Sequence, residues 1–232
     1  MDVHRLLEPP VNEAEILQTI PELALGKGLE QGPYHHLDVF GHTMEVVAGV
    51  ERELEENRLG ARVCRERVAG LRLVGLLHDV AKPITRGEYE GKVLFVAHDT
   101  LGARLAYRIC RRLGISAGET DLVATLTALH LKIGFMGNER SNYRPPRLAR
   151  AAGPFGEELA VLSWADRLAA QGPRLQQEHL DRHHGLCAEF LRVSREHGPY
   201  PSPNYERPGR GSRVTADADL GYASSRVRLR GA

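Results

Sequence analysis

The chain has 232 residues, a formal net charge of +1 and a 42% share of hydrophobic residues. This length suits one large domain with short appendages, and the near-neutral charge argues neither for nor against nucleic acid as a partner. No stretch reaches the roughly 18 apolar residues of a membrane span, and the N-terminus lacks the features of a secretory signal. The three cysteines show neither zinc-ribbon nor disulfide spacing. We therefore expect a soluble, cytoplasmic protein.

Hydrophobic periodicity and helix-breaking residues divide the chain into predicted helices. A short first helix is capped by Asn12 and ends at Pro21, and a loop follows through Pro33. The β-prone residues of segment 83–97 indicate a small hairpin or an ordered loop. The predicted helices are 12–20, 37–57, 65–81, 99–113, 119–130, 157–170 and 178–197.

The predicted organisation has three parts. An N-terminal helix and loop cover residues 1–32, and an all-α domain covers 33–197, with an irregular polar loop over 134–146. From Gly198 to Ala232 the chain is rich in Pro, Gly, Ser and Arg. We expect this last part to be an extended or disordered tail.

The segment Leu71–Pro83, LRLVGLLHDVAKP, places His78 and Asp79 at the end of an apolar stripe. Its helical spacing predicts a buried helix, which Pro83 is expected to prevent from continuing. Adjacent imidazole and carboxylate groups are costly in a low-dielectric core unless something binds them, and a divalent cation would accept both. The dipeptide alone fits equally well with two residues that hydrogen-bond their surroundings.

Four further predicted helices each carry one titratable side chain on or beside an apolar stripe. His98, for example, precedes a stripe that begins at Leu101. A single residue of this kind is more often a hydrogen-bonded core residue, but five such segments together indicate a metal site built inside a helical bundle. The four residues are His42, His98, His130 and Asp166.

The order His42, His78-Asp79 and Asp166 resembles the H…HD…D signature of the HD-domain metal-dependent phosphohydrolase superfamily. The segments YHHLDVFGHT, LLHDVAKP, AHDTLGARLAYRICRRL and SWADR are similar to the HD domain attached to bacterial tRNA CCA-adding nucleotidyltransferases. Gly41 departs from that resemblance, because a larger, often acidic residue is expected before the histidine.

The resemblance spans roughly residues 33–170. The stretch before residue 33 is too short for the nucleotide-adding head of those enzymes, so we expect a stand-alone HD module that adds no nucleotides. The implied fold is an all-α HD-domain helical bundle, here possibly with a small β-hairpin insertion.

The resemblance also implies a metal-dependent phosphohydrolase with one or two divalent cations (Mn, Ni, Co, Mg or Fe). Asp79 and Lys82 would be catalytic, with Lys82 contacting a phosphate as a point charge. The same lysine also fits an ordinary cation facing a helix C-terminus. By resemblance, the first cation would be held by His42, His78, Asp79 and Asp166, and a second by Asp79, His98 and His130.

The implied reaction is attack of metal-bound hydroxide on a phosphomonoester or phosphodiester of a nucleotide or RNA end, including 2′,3′-cyclic phosphates. The alternative is an RNA-binding module with little or no catalysis, in which arginines of the tail make weak contacts to phosphates. The retention of all six inward polar residues favours the enzyme.

Two other groups of histidines are less informative. His35 and His36 would either line the mouth of a pocket or simply be solvated. The group His179, Asp181, His183 and His184 offers metal-ligand spacing, but it lacks an apolar stripe that would bury it. We therefore predict that this second group lies on a solvated helix face.

Overall fold

Ten α-helices and one β-hairpin make up most of the chain that the computed structural model describes, which is residues 3–8, 11–138 and 141–198. None of these helices is both long and apolar enough to cross a lipid bilayer. The prediction of a helical domain with a small hairpin is confirmed. The helices are α1 (Glu13–Thr19), α2 (Val39–Glu56), α3 (Val68–Leu77), α4 (Lys82–Thr85), α5 (His98–Arg112), α6 (Ala117–Leu129), α7 (Lys132–Met136), α8 (Pro145–Ala152), α9 (Gly156–Ala170) and α10 (Gln177–His197).

The hairpin separates α4 from α5. Its strands β1 (Arg86–Tyr89) and β2 (Lys92–Phe95) pair antiparallel, and Tyr89 lies opposite Lys92 next to the turn. Gly91 in this turn has a φ of 69°, in the left-handed region that glycine adopts without strain. Short 3₁₀ segments at Val3–Leu7, Pro21–Gly26 and Arg65–Arg67 complete the described elements.

Helix α2 begins at a side-chain cap. The Asp38 carboxylate accepts a hydrogen bond from the Gly41 amide at 2.6 Å, which satisfies one of the unpaired donors of the first turn. The helix ends at Glu56, and Asn57 after it has a left-handed backbone, as is common at the end of a helix. The cap places His42 within the first turns of α2, with its side chain fully buried.

The core forms where α2 packs against α9 and α3, while α3 also packs against α6. Gly49 of α2 permits a close approach to α9, since a Cβ atom at Gly49 would lie only 3.3 Å from that of Ala165. Helices α5 and α10 pack outside this group, against α6 and α9 respectively. The close α2–α9 contact brings the residue after Ala165, Asp166, within reach of His42.

Helix α3 is shorter than predicted, and the role assigned to Pro83 was wrong. The helix ends at Leu77, and residues 78–81 form turns before α4 begins at Lys82. Pro83 lies in the first turn of α4, where its missing N–H and fixed φ cost nothing. His78 and Asp79 therefore lie in a break between two helices.

The prediction of an irregular loop over 134–146 was also wrong at both ends. Helix α7 extends to Met136, and α8 begins at Pro145, since proline is well accommodated in the first turn of a helix. Leu101 is 37% exposed, so it does not begin the buried stripe of α5. Small residues face α6 instead, and a Cβ atom at Gly102 would lie 3.3 Å from Thr127 Cγ2. The predicted tail lies outside the described residues beyond Gly198.

An ion pair on the surface connects α10 to α9 and to the segment before α3. Glu157 accepts hydrogen bonds from Arg195 Nε at 2.7 Å, from Arg195 Nη2 at 2.8 Å and from the Arg62 amide at 2.8 Å. Partial burial would raise the pKa of Glu157, but the hydrogen bonds from Arg195 and the Arg62 amide lower it below the ordinary 4.5. A depressed folded-state pKa stabilises the protein above the unfolded pKa, and this contribution is lost as the pH falls through the folded value.

We therefore expect Glu157→Gln to lower the free energy of unfolding at pH 7 by about 1 kcal/mol or less, because this pair is partly solvated. The difference from wild type should shrink as the pH falls below 4.5. Urea denaturation at several pH values measures it. The control is Glu196→Gln, which breaks an exposed pair with Arg192; an equal loss in both variants would contradict the prediction.

Candidate metal centre

The break between α3 and α4 carries the two residues around which the site is built. His78 is the C-cap of α3, and Asp79 follows it in the turn. Both side chains are buried. Four other elements contribute one polar side chain each to the surroundings of Asp79. These are His42 from α2, His98 from α5, His130 from the end of α6 and Asp166 from α9.

The Asp79 carboxylate lies between two pairs of histidines. Its Oδ2 is 3.1 Å from His78 Nε2 and 3.8 Å from His42 Nε2. Its Oδ1 is 3.4 Å from His98 Nε2 and 3.7 Å from His130 Nε2. In each group, the three potential ligand atoms lie within 4.8 Å of one another. The geometry thus produces two adjacent sets of potential ligands that share one carboxylate.

Asp166 adjoins the first of these sets. Its Oδ1 lies 3.0 Å from His42 Nε2 and 3.9 Å from His78 Nε2. The close packing of α2 on α9 accounts for this proximity, since the two helices meet without an intervening side chain at Gly49. All six side chains that the sequence indicated as ligands are therefore brought together.

The backbone fixes the orientation of three of the imidazole rings. The Nδ1 atoms of His78, His98 and His130 lie 2.8, 2.7 and 2.7 Å from the carbonyl oxygen three residues earlier in the chain. Because a carbonyl oxygen only accepts hydrogen bonds, Nδ1 must carry a proton in each ring. When the ring is neutral, its Nε2 lone pair therefore faces Asp79, which is the tautomer that a metal requires.

Four of the atoms that face the centre have no hydrogen-bond partner in the part of the chain that the structure describes. Nε2 of His78, His98 and His130 and Oδ1 of Asp79 are buried without a hydrogen-bond partner among the described residues. Leaving a buried polar atom unpaired costs about 1–3 kcal/mol, and lone pairs facing a carboxylate repel each other unless a cation or proton lies between them. Imidazole nitrogen and carboxylate oxygen together suit divalent transition metals. The residues present thus fit one or two such cations.

The electrostatics keep the carboxylates ionised. Burial would raise the pKa of Asp79, but His78 and Lys82 beside it hold that pKa well below its usual value. Burial would likewise raise the pKa of Asp166, but the hydrogen bond with His42 holds it well below the usual value. Burial lowers the pKa of His130 to about 4, and the neighbouring His78 adds to this effect. Two carboxylates and a neutral imidazole are therefore available at neutral pH.

His78 behaves differently from His130. Burial acts to lower its pKa, but the adjacent Asp79 carboxylate outweighs burial and raises the pKa above the ordinary value. A proton on His78 Nε2 would occupy the position that a cation needs. Binding of a metal to this set therefore competes with a proton.

Lys82 is buried and paired rather than placed at a helix C-terminus. Its Nζ lies 2.6 Å from Asp79 Oδ2 and donates to Gln31 Oε1 at 2.6 Å. Gln31 is itself held by hydrogen bonds from its Nε2 to the carbonyl oxygens of Leu37 and Asp38. The interpretation of Lys82 as a cation at a helix C-terminus is therefore wrong, since Lys82 lies at the start of α4.

Gln31 is a site residue that sequence reasoning missed. It lies in a loop outside any periodic segment, and its contacts are to one lysine and two backbone carbonyls. No spacing rule predicts such contacts. Gln31 thus orients the Lys82 ammonium together with the Asp79 carboxylate and the Phe95 ring, whose centroid lies 5.5 Å from Nζ.

A buried ion pair supports the second set of ligands. Asp99, next to His98, pairs with Lys132, which follows His130 by two residues. Burial would lower the pKa of Lys132, but Asp99 raises it, so both partners are charged. The pair ties the start of α5 to the start of α7 and fixes the two histidines relative to each other.

A cavity of about 410 Å³ opens onto the centre. Its walls include Asp79, Lys82, His98 and the hairpin residues Leu94 and Phe95. This size falls within the range of pockets that hold small molecules. The hairpin thus forms one wall of a chamber that contains the potential metal ligands.

The two histidines before α2 differ in position. His35 lines the cavity, and its ring contacts that of His42 edge-on with centroids 4.8 Å apart. Burial, followed by the charge of Lys82, lowers the pKa of His35 to about 4. His36 is exposed, and its Nδ1 donates to the carbonyl oxygen of Ala170 at 3.0 Å. Only His35 is therefore positioned to meet a bound molecule.

The expectation of a solvated His179–His184 group was wrong for His183. This residue is only 6% exposed, and its Nε2 lies 3.1 Å from the carbonyl oxygen of Ser163. An apolar stripe follows it at helical spacing, with Cys187, Phe190 and Leu191 all buried. His179 remains exposed. This stripe was the signal that would have identified His183 as buried.

These features define a helical domain with a buried histidine–aspartate centre, and comparison with known proteins places it in a family. A family model described as "HD domain" matches residues 39–171. The chain therefore belongs to the HD-domain family, whose members are generally metal-dependent phosphohydrolases.

Individual relatives share this region. The chain is 34% identical over 183 residues to the A-adding tRNA nucleotidyltransferase of Deinococcus radiodurans, covering 74% of this chain and 39% of that protein. It is 34% identical over 155 residues to the CC-adding tRNA nucleotidyltransferase of Thermus thermophilus, covering 66% of this chain and 32% of that protein. A bifunctional uridylyltransferase/uridylyl-removing enzyme of Novosphingobium aromaticivorans is 37% identical over 108 residues, 42% of this chain and 10% of that enzyme. The chain thus spans well under half the length of each of these proteins.

Proposed function

We propose that this protein is a metal-dependent phosphohydrolase acting on a phosphoester of a nucleotide or an RNA end. The observation that carries the proposal is the convergence of four histidines on the buried Asp79 carboxylate, three of them through Nε2 atoms that have no hydrogen-bond partner among the described residues. A purely structural cluster would satisfy these atoms within the protein.

The six converging side chains have separate tasks in this proposal. His42, His78, Asp79 and Asp166 would hold one divalent cation, and Asp79 would share a second with His98 and His130. When bound, such cations supply Lewis acidity and lower the pKa of a coordinated water towards neutrality. The protein itself fixes the tautomers of His78, His98 and His130 through the backbone carbonyls described above.

Lys82 provides positive charge on the cavity side of the centre. Its Nζ is held by Gln31 and faces the cavity with Asp79. A phosphate oxygen of the substrate would accept a hydrogen bond from this ammonium, which stabilises the negative charge that builds up during hydrolysis. Neutral His35, at the same cavity wall, would donate or accept a hydrogen bond at the substrate without adding charge.

The relatives support the nucleotide character of the substrate. Two of them are named for adding nucleotides to tRNA, and a third for removing uridylyl groups. The aromatic rings of Tyr34, Phe95 and Phe135 line the same cavity as the centre, and such rings are suitable partners for stacked bases.

The test begins with metal analysis of the purified protein. The protein is then stripped with a chelator and reloaded separately with Mn²⁺, Ni²⁺, Co²⁺, Mg²⁺ or Fe²⁺. Each form is assayed with 2′-, 3′- and 5′-nucleotides, 2′,3′-cyclic nucleotides and short RNA ending in a phosphate. We expect hydrolysis that a chelator abolishes and at least one metal restores.

A thermal melt supplies a readout that does not depend on activity. A cation that binds only the folded state raises the melting temperature, and by more as its concentration rises above its dissociation constant, so reloading should stabilise the protein. A chain that binds none of these metals and hydrolyses none of these substrates, yet binds RNA, would favour the non-catalytic module instead.

A further inference from the structure

A second cavity, of about 530 Å³, lies beside the one that contains the metal centre. The two cavities share four lining residues, Gly134, Phe135, Arg167 and His183. The second is therefore a continuation of the first, on the side of α9 and α10. Nothing in the proposed hydrolysis of a single phosphoester requires this additional space.

Arg167 lies at the junction of the two cavities. It follows Asp166 directly in α9, and its side chain is half-buried. Its Nη2 approaches Gly134 closely enough that a Cβ atom there would lie 3.8 Å away. Arg167 forms no hydrogen bond or ion pair with any other residue in the described ranges 3–8, 11–138 and 141–198. A half-buried guanidinium without a partner is suited to bind an anion that enters from outside.

The other residues that line the second cavity also favour an anion. Arg182 lies in its wall and donates from Nη2 to the carbonyl oxygen of Gly137 at 2.6 Å. Among the described residues that line this cavity there is no carboxylate. The Phe135 ring, 39% exposed, forms part of the wall of both cavities, where a base would stack on it.

We propose that Arg167 binds a second phosphate of the substrate, one nucleoside away from the phosphate that is hydrolysed at the metal centre. The preferred substrate is then a nucleotide with two phosphates, such as a nucleoside bisphosphate or the end of an RNA strand, rather than a simple monophosphate. This inference rests on the proposed hydrolase function and adds the recognition of a second anionic group.

The test compares substrates that differ only in the second phosphate. Release of the 3′-phosphate is measured from adenosine 3′-phosphate, from adenosine 3′,5′-bisphosphate and from the dinucleotide ApA carrying a 3′-phosphate. The bisphosphate and the dinucleotide distinguish a free nucleotide from an RNA end as the source of the second phosphate. Arg167→Met keeps much of the apolar volume of the side chain and removes the charge.

We expect Arg167→Met to lower kcat/KM about 10- to 100-fold for the substrates with two phosphates, the effect of losing a charged hydrogen-bond pair. Adenosine 3′-phosphate should change by less than about threefold, because the scissile phosphate keeps its other contacts. Arg108→Met, at an exposed position of α5, is the matched control and should leave all three substrates unchanged. Metal content and thermal melting verify that each variant is folded.

An equal loss of kcat/KM on all three substrates, or no loss on any, would overturn the inference while leaving the hydrolase function in place. Wild-type protein that is inactive on every substrate of the wider screen would instead overturn the proposed function, whereas inactivity on these three alone would not. In either event, titration calorimetry of wild type and Arg167→Met with adenosine 3′,5′-bisphosphate decides the inference. Weaker binding by the variant supports it, and equal binding refutes it.

Discussion

Replacing Asp79 by asparagine is expected to abolish metal binding and phosphoester hydrolysis together. Among the described residues, the Asp79 carboxylate alone lies within 4 Å of both sets of histidines, so asparagine removes the negative charge that the two sets share. Loss of charge stabilisation at a centre of this kind lowers kcat by on the order of 10³-fold or more. Metal content per chain and kcat on the best substrate measure the two effects.

The matched control is Glu53→Gln. Glu53 is also a buried carboxylate on the same helix as His42, but it lies about three turns further along α2, roughly 16 Å by helix rise, and its Oε1 accepts a hydrogen bond from the Leu59 amide at 2.8 Å. This variant should bind metal normally, even if its stability falls. Hydrolysis by Asp79→Asn at a wild-type rate would exclude the proposed centre.

Replacing Lys82 by methionine is expected to separate catalysis from metal binding. The variant keeps all six proposed ligands but loses the ammonium that Gln31 holds at the cavity wall. Removing one preorganised donor from a reacting group costs about 10²- to 10³-fold in kcat. Metal content should not fall below the wild-type level, because Lys82 competes with a cation for Asp79 rather than holding the cation.

The control here is Lys92→Met, in strand β2 of the hairpin, where the lysine is exposed. Lys92→Met removes one positive charge, as Lys82→Met does, but it lies outside the centre. Its kinetics should therefore match wild type. Loss of metal from Lys82→Met to the degree expected for Asp79→Asn would show that Lys82 acts structurally, through Asp79, and would contradict a role at the phosphate.

Much of the centre was predictable because each residue lies on or next to an element with strong periodicity. His42 shares the buried side of α2 with its valines, and His130 follows the apolar residues of α6, so helical spacing alone predicted that both point inward. Predicting that they converge on Asp79 also required the resemblance to the family signature. The spacing of residues within one helix does not indicate which other helices pack against it.

The wrong or missed predictions concern residues whose structural role depends on contacts outside their own segment. Pro83 was expected to stop a helix and Pro145 fell within the predicted loop 134–146, yet each lies in the first turn of a new helix. Gln31 lies outside any periodic apolar segment, and its position is fixed by hydrogen bonds from its side chain to two backbone carbonyl oxygens. Arg167 was unremarked because a charged residue at a helix surface is ordinary; only the two cavities that meet beside it make it distinctive.

The unpaired nitrogen and oxygen atoms around Asp79 also affect how long the protein survives in a cell. Without a cation they reduce the free energy of unfolding, because the unfolded chain can hydrate them and the folded chain cannot. A cation present at 100 times its dissociation constant would add about 2.7 kcal/mol to that free energy. The fraction of unfolded molecules, on which chaperones and proteases act, then depends on the free concentration of the metal. The abundance of this protein should therefore follow the metal supply of the cell, even where its substrate is absent.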